Sequence, residues 1–258
     1  MNGFKRARLA VVFAFVASAT MAQTDEEALK QANNPLAKIT AVNIQNYFQS
    51  DLAGSDGTAN TFWVRYAKPV TAFGGNWLIR ASLPVLRLPT ATGSESGLGP
   101  ANIFAAYLFD TGNPSLTFGA GPLLALPTST GDIPIGDTWD LGAAALLFDA
   151  RSSLFQYGAL VTYQTDVAGS GDSELMVAQP FGIFQLGAGW YLRSTGVWTF
   201  NLDTNDYAVP VGFGFGRAIK SGNKVFNYYL EPQATILSDG AGQPDFQLLA
   251  GFNIQFVN

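Results

Sequence analysis

The chain has 258 residues with 14 Lys+Arg, 19 Asp+Glu, no histidine and no cysteine; 48% of residues are hydrophobic and only 13% are charged. That charged share is about half the usual one for a soluble domain. Without histidine or cysteine there is no Ser-His-Asp triad, no Cys-His pair, no imidazole- or thiolate-held metal and no disulfide, so most enzyme readings fall away at once. Mean hydropathy is +0.15, yet beyond residue 22 no stretch approaches the ~20 apolar residues of a membrane helix. Apolarity without a helical span points to sheet in lipid.

Residues 1–22 read as an export signal. Lys5, Arg6 and Arg8 form a basic start, Leu9 to Ala17 an apolar stretch, and small residues ending at Ala19 or Ala22 a cleavage site. Its removal leaves an acidic balance of 11 Lys+Arg against 19 Asp+Glu, which argues against a nucleic-acid partner. Residues 23–37, with Asp25, Glu26 and Glu27 ahead of Asn33-Asn34-Pro35, suit a short helix. They serve either as a frayed periplasmic lead-in or as a small plug folded into a pore.

From Lys38 onward the hydrophobic period is two. In 224–236, Phe226, Tyr228, Leu230, Ala234 and Ile236 share a face opposite Asn227, Tyr229, Glu231, Gln233 and Thr235; 245–256 and 207–219 alternate in the same way. About twelve such segments follow one another, over 38–48, 59–70, 77–86, 99–109, 115–126, 139–148, 154–165, 174–186, 190–200, 207–219, 224–236 and 245–256. At ~3.3 Å per residue and ~45° tilt, segments of this length cross an apolar bilayer core. The connections after odd segments are mostly long and polar (49–58, 87–98, 127–138, 166–173, 201–206, 237–244), and those after even segments are mostly short. An even strand count with long loops at one end and tight turns at the other predicts an all-β, antiparallel up-and-down transmembrane barrel over 38–258. Its loops are extracellular and its turns periplasmic. Acidic residues gather at the long loops, where they could share divalent cations with lipopolysaccharide phosphates. Trp77, Trp139 and Trp190 each open a strand in its apolar phase, as membrane-interface aromatics do. Gly251-x-x-Ile254-x-Phe256 has the pattern of a C-terminal insertion signal, which implies handling by the barrel-assembly machinery.

Several short patterns carry a resemblance: Asn34-Pro35-Leu36-Ala37, Gly97-Leu98-Gly99, Gly119-Ala120-Gly121-Pro122 with Leu126-Pro127-Thr128, Gln179-Pro180-Phe181, Gly189-Trp190-Tyr191-Leu192 and Val209-Pro210-Val211-Gly212. In this order and spacing the chain resembles the bacterial outer-membrane transporters labelled neuromedin-U-like, related to meta-pathway phenol-degradation barrels. Pro100 departs from that pattern, in which an acidic residue follows Gly-Leu-Gly. The resemblance implies a transporter of the Gram-negative outer membrane, without a defined substrate.

If the apolar face meets lipid, the opposite phase lines the lumen. It places Arg65, Arg80, Asp140, Arg193, Glu231 and Gln233 inward, with Asn227 and Asn253, and Trp63 and Tyr229 nearby. Such charges must face water or each other, so they form either a charge-selective constriction or a lumen-filling ion-pair network. Gly212-x-Gly214-x-Gly216 lies within a strand and lacks the helix of a nucleotide loop; lumen-facing glycines there make room for curvature or an inward aromatic. No catalytic group, cofactor or metal site is expected. The expected function is an outer-membrane channel passing small solutes, hydrophobic or aromatic ones included. The alternative is a non-conducting structural or surface-interaction barrel.

Overall fold

Alternating side chains along each strand give every segment one apolar and one mixed face, and an unbroken series of antiparallel pairings can satisfy such strands in lipid only by closing on itself. The computed structural model describes residues 29, 31–34, 39–91, 93–131, 133 and 137–257; the export signal expected over 1–22 and most of 23–37 lie outside the described residues. The strands are β1 (Thr40–Leu52), β2 (Ala59–Ala72), β3 (Gly75–Thr90), β4 (Gly93–Leu98), β5 (Ala101–Phe109), β6 (Leu116–Leu126), β7 (Asp137–Asp149), β8 (Phe155–Ser170), β9 (Glu174–Gly187), β10 (Trp190–Ser194), β11 (Trp198–Asn201), β12 (Tyr207–Gly212), β13 (Gly214–Ser221), β14 (Lys224–Asp239) and β15 (Pro244–Phe256). All pair antiparallel, and β15 returns to β1 with Thr40 opposite Phe256 and Leu52 opposite Pro244. The result is a closed barrel of twelve staves, because β4 with β5, β10 with β11, and β12 with β13 are halves of single staves.

The breaks within staves follow from residues that cannot serve a ladder. Pro100 interrupts the fourth stave, and Thr128 bridges the gap: its Oγ1 accepts from Ala101 N at 2.7 Å and donates to Gly99 O at 2.8 Å. In the ninth stave the pairings Ser194–Gly182 and Trp198–Ala178 leave Pro180 opposite the break at 195–197. Pro210 stands on the other side. Neither proline has an N–H to offer. Trp198 Nε1 donates instead to Pro210 O at 3.2 Å, and Gly196 lies so close to that carbonyl that a Cβ would overlap it.

Outward residues build a lipid-facing apolar band that includes Val64, Tyr66, Leu141, Val161, Phe215 and Phe252. Trp77 and Trp190 sit beside the short turns and Trp139 beside the longest loop, all on the outer face. Trp77 Nε1 donates to Ala72 O at 3.1 Å, and the Arg217 guanidinium lies 4.9 Å from the Trp190 ring. At the loop end several strands run past the expected bounds: β8 reaches Ser170 and β14 reaches Asp239. Polar hairpins keep pairing above the apolar band because the ladder needs backbone groups, not hydrophobic side chains, as with Asp166 N donating to Ser173 O at 2.9 Å.

The interior is not an open water column. Leu78, Phe104, Ala106, Leu108, Leu123, Leu146 and Phe148 turn inward and pack together on one side. Tyr47, Ile183, Tyr191, Tyr229 and Leu249 form a second cluster. Between these clusters lies the polar part of the lumen.

Candidate functional site in the lumen

The inward glycines of the tenth stave make the site possible. A Cβ at Gly212 or Gly214 would collide with Glu231, and one at Gly216 with the Tyr191 ring. Into the space left free, β14 turns Glu231, which is fully buried, and Gln233, which is 1% exposed. Arg193 Nε donates to Glu231 Oε2 at 2.8 Å. Thr195 donates to the same carboxylate twice, from its backbone N at 2.7 Å and from Oγ1 at 2.8 Å, while Gln233 Nε2 donates to Glu231 Oε1 at 2.9 Å. The broken ninth stave is thus part of the site: the backbone N–H released at Thr195 hydrogen-bonds the buried carboxylate. A carboxylate with this many donors is the kind of buried ion that a protein interior tolerates.

Arg65 and Arg80 are held differently. Arg65 stacks 4.5 Å from the Trp63 ring and its Nη1 donates to Gln45 Oε1, whose own Nε2 donates to Tyr229 Oη at 2.6 Å. Arg80 lies 4.5 Å from the Phe104 ring. Neither arginine forms an ion pair among the described residues. Asp140 does not supply the missing charge, since it is absent from the cavity lining. It accepts from Thr138 Oγ1 at 2.7 Å, Gln164 Nε2 at 2.7 Å and Ser173 Oγ at 3.1 Å nearer the loop end.

The structure therefore divides the six inward residues expected from sequence. Arg65, Arg80 and Arg193 surround one cavity of about 170 Å³. Glu231 and Gln233 stand behind Arg193, and Asp140 belongs to a separate cluster. On the turn side the cavity is lined by Ala32, Asn33 and Asn34. Ala32 O accepts from Asn227 Nδ2 at 3.2 Å and from Gln255 Nε2 at 3.1 Å, and Asn33 Oδ1 accepts from Asn227 at 3.0 Å. Tyr191 Oη, donating to Asn227 Oδ1 at 2.6 Å, fixes that amide.

Gln45, Thr195 and Tyr191 were not singled out from sequence. Gln45 carries a signal, since it shares a phase with Asn43 opposite Val42 and Ile44 in a period-two segment. Tyr191 carried a fainter one, a large aromatic facing a glycine track on a neighbouring strand. Thr195 carried none, because its role depends on the stave breaking.

Outside the wall at that break lies an apolar groove of about 720 Å³, lined by Phe155, Phe184, Trp198 and Phe213 among others. Phe181 and Arg193 border both the groove and the lumen cavity. No group of three or more acidic residues converges on a metal-sized site among the described residues.

No family model matches the chain, and no curated protein matches it in sequence. Solved structures do. The COG4313 outer membrane channel from Pseudomonas putida F1 is similar over 86% of this chain and 97% of its own, with a TM-score of 0.62 at 14% identity. The NanC porin is similar over 84% of this chain and 100% of its own, with a TM-score of 0.52 at 9% identity. At these identities the likeness is one of fold: the chain has the architecture of an outer-membrane β-barrel.

Proposed function

We propose that the chain is a channel of the Gram-negative outer membrane that passes small, partly hydrophobic solutes through a narrow lumen. The observation that carries this reading is the cavity at the barrel's centre, where arginines and amides meet Leu160, Phe181 and Ile183. A lumen built only for stability gains nothing by keeping, beside apolar walls, cations that have no acid among the described residues. Apolar inward clusters leave little room for a broad water column, so the cargo is small. The named folds of both similar structures, a channel and a porin, agree with this reading, as does the resemblance to the neuromedin-U-like transporters. In the same reading the loops face lipopolysaccharide, the turns face the periplasm, and the barrel-assembly machinery inserts the chain. No chemistry is assigned to it.

A second reading, a non-conducting structural barrel, draws on the packed interior and on residues 31–34 seated at the turn end. Proteoliposome swelling separates the two. Liposomes holding the mature chain, residues 23–258, should swell in glycerol-sized solutes and stay unswollen in a disaccharide. No swelling in any solute, with folding verified by heat-modifiable migration, would favour the structural barrel.

A further inference from the structure

We infer that the lumen cavity binds a small organic carboxylate, its anionic head between Arg65 and Arg80 and its apolar body against Leu160, Phe181 and Ile183. This inference rests on the channel reading and names the substrate class of the same site.

The charge balance leads to it. Three arginines line the cavity, and the chain neutralises one of them: Arg193 is paired with a carboxylate that has no exposure at all. Arg65 and Arg80 are left with no acid among the described residues, although they are close. Arg65 is opposite Ser82 and Arg80 opposite Ala67 in the β2–β3 register, which makes them diagonal neighbours on one face; such pairs stand ~7–8 Å apart. Both Nε atoms are buried without an acceptor. Of the donors on the two guanidiniums, only Arg65 Nη1 meets a protein oxygen among the described residues, that of Gln45. Guanidinium groups stay charged in proteins, and two like charges inside a barrel need an anion, which the described residues do not provide. Trp63 and Phe104 each pack against one of the two guanidiniums, and both arginines open on the same cavity, where one group with two accepting oxygens can take N–H groups from each. A carboxylate has that geometry.

The remaining wall sets the rest of the ligand. Ala67, Leu160, Phe181 and Ile183 are apolar and would repel a fully hydrated ion. The volume of about 170 Å³ is close to the ~150 Å³ cavity that accepts a benzene molecule. A single ring or short chain bearing one carboxylate fits; a charged oligomer does not.

Benzoate, acetate and benzyl alcohol test the inference on the refolded mature chain in detergent micelles, read by the fluorescence of Trp63. Benzoate should change the emission saturably, at concentrations about tenfold or more below those at which acetate or benzyl alcohol act, and Trp63→Phe should abolish the signal. Arg65→Gln and Arg80→Gln should each weaken benzoate by about tenfold or more, the loss expected for a charge-assisted hydrogen bond. Arg80→Lys, which keeps charge without the fork, should lie between. Both Gln variants remove an unneutralised charge, so their heat-modifiable migration should persist. Equal responses to benzoate and benzyl alcohol, or benzoate binding that survives both Gln variants, would overturn the anion site. Equal binding of acetate would overturn the apolar part. Swelling assays judge the channel independently: conduction without selective benzoate binding removes this inference alone, whereas binding without conduction removes the channel and leaves the site.

Discussion

Glu231→Ala should lower the stability of the barrel by about 3–5 kcal/mol, the cost of leaving a buried charge without its partner. Arg193, 7% exposed, would keep Thr195 Oγ1 as an acceptor but lose its charge partner, and Thr195 N and Oγ1 would lose their acceptor as well. Urea unfolding in micelles, followed by the loss of heat-modifiable migration, gives the size of the effect. The diagnostic variant is the double one. Arg193→Met with Glu231→Ala removes both charges together, so much of the loss should be regained relative to Glu231→Ala alone, and the coupling should exceed that of distant pairs. Strictly additive effects would mean that the pair is incidental to the packing of the ninth and tenth staves. Gln233→Leu should cost less, since it removes neutral-amide hydrogen bonds to Glu231 and from Gln247 and leaves the ion pair in place.

Deleting residues 23–37 should give the largest functional change, turning a barrel that excludes a disaccharide into one that admits it. Asn227 and Gln255 are buried and donate to Ala32 O, and Asn227 donates to Asn33. Removal of the segment hands those amides to water and opens the turn side of the cavity. Asn227→Ala should act in the same direction with the segment still present, because it cuts the contacts to Ala32, Asn33 and Tyr191 together. Disaccharide swelling in proteoliposomes reads both variants. Exclusion that persists in both, with folded barrels, would make the segment a bystander.

Much of the barrel was legible because lipid enforces a rule that sequence records directly: side chains must alternate and the ladder must close. The phase of Phe226 to Ile236 alone places Glu231 and Gln233 inward, and the phase of Trp139, Leu141 and Ala143 places Asp140 inward. Periodicity is weaker where both faces are apolar. Leu78, Phe104, Leu123 and Leu146 turn into the barrel, yet they look no different from their lipid-facing neighbours, since the interior here is as dry as the outside. Strand phase says which side a residue takes and nothing about its height or its partner across the lumen. Hence Asp140 and Arg80 are both inward yet do not meet. The glycines at 212, 214 and 216 pointed to space, and only the fold identified what fills it: a carboxylate at two and a tyrosine at the third. The stave break at 195–197 depends on Pro180 and Pro210 facing the same point from two neighbouring strands, a coincidence visible only once register is known.

Single-channel recording of residues 23–258 in planar bilayers tests the central claim most directly. A barrel with an arginine-lined but narrow lumen should give small, steady current steps, with a reversal potential in a salt gradient on the anion-selective side. It should shift toward neutrality in the Arg65→Gln/Arg80→Gln variant. A folded barrel that passes no current, or whose selectivity is unmoved by removal of both arginines, would contradict the account.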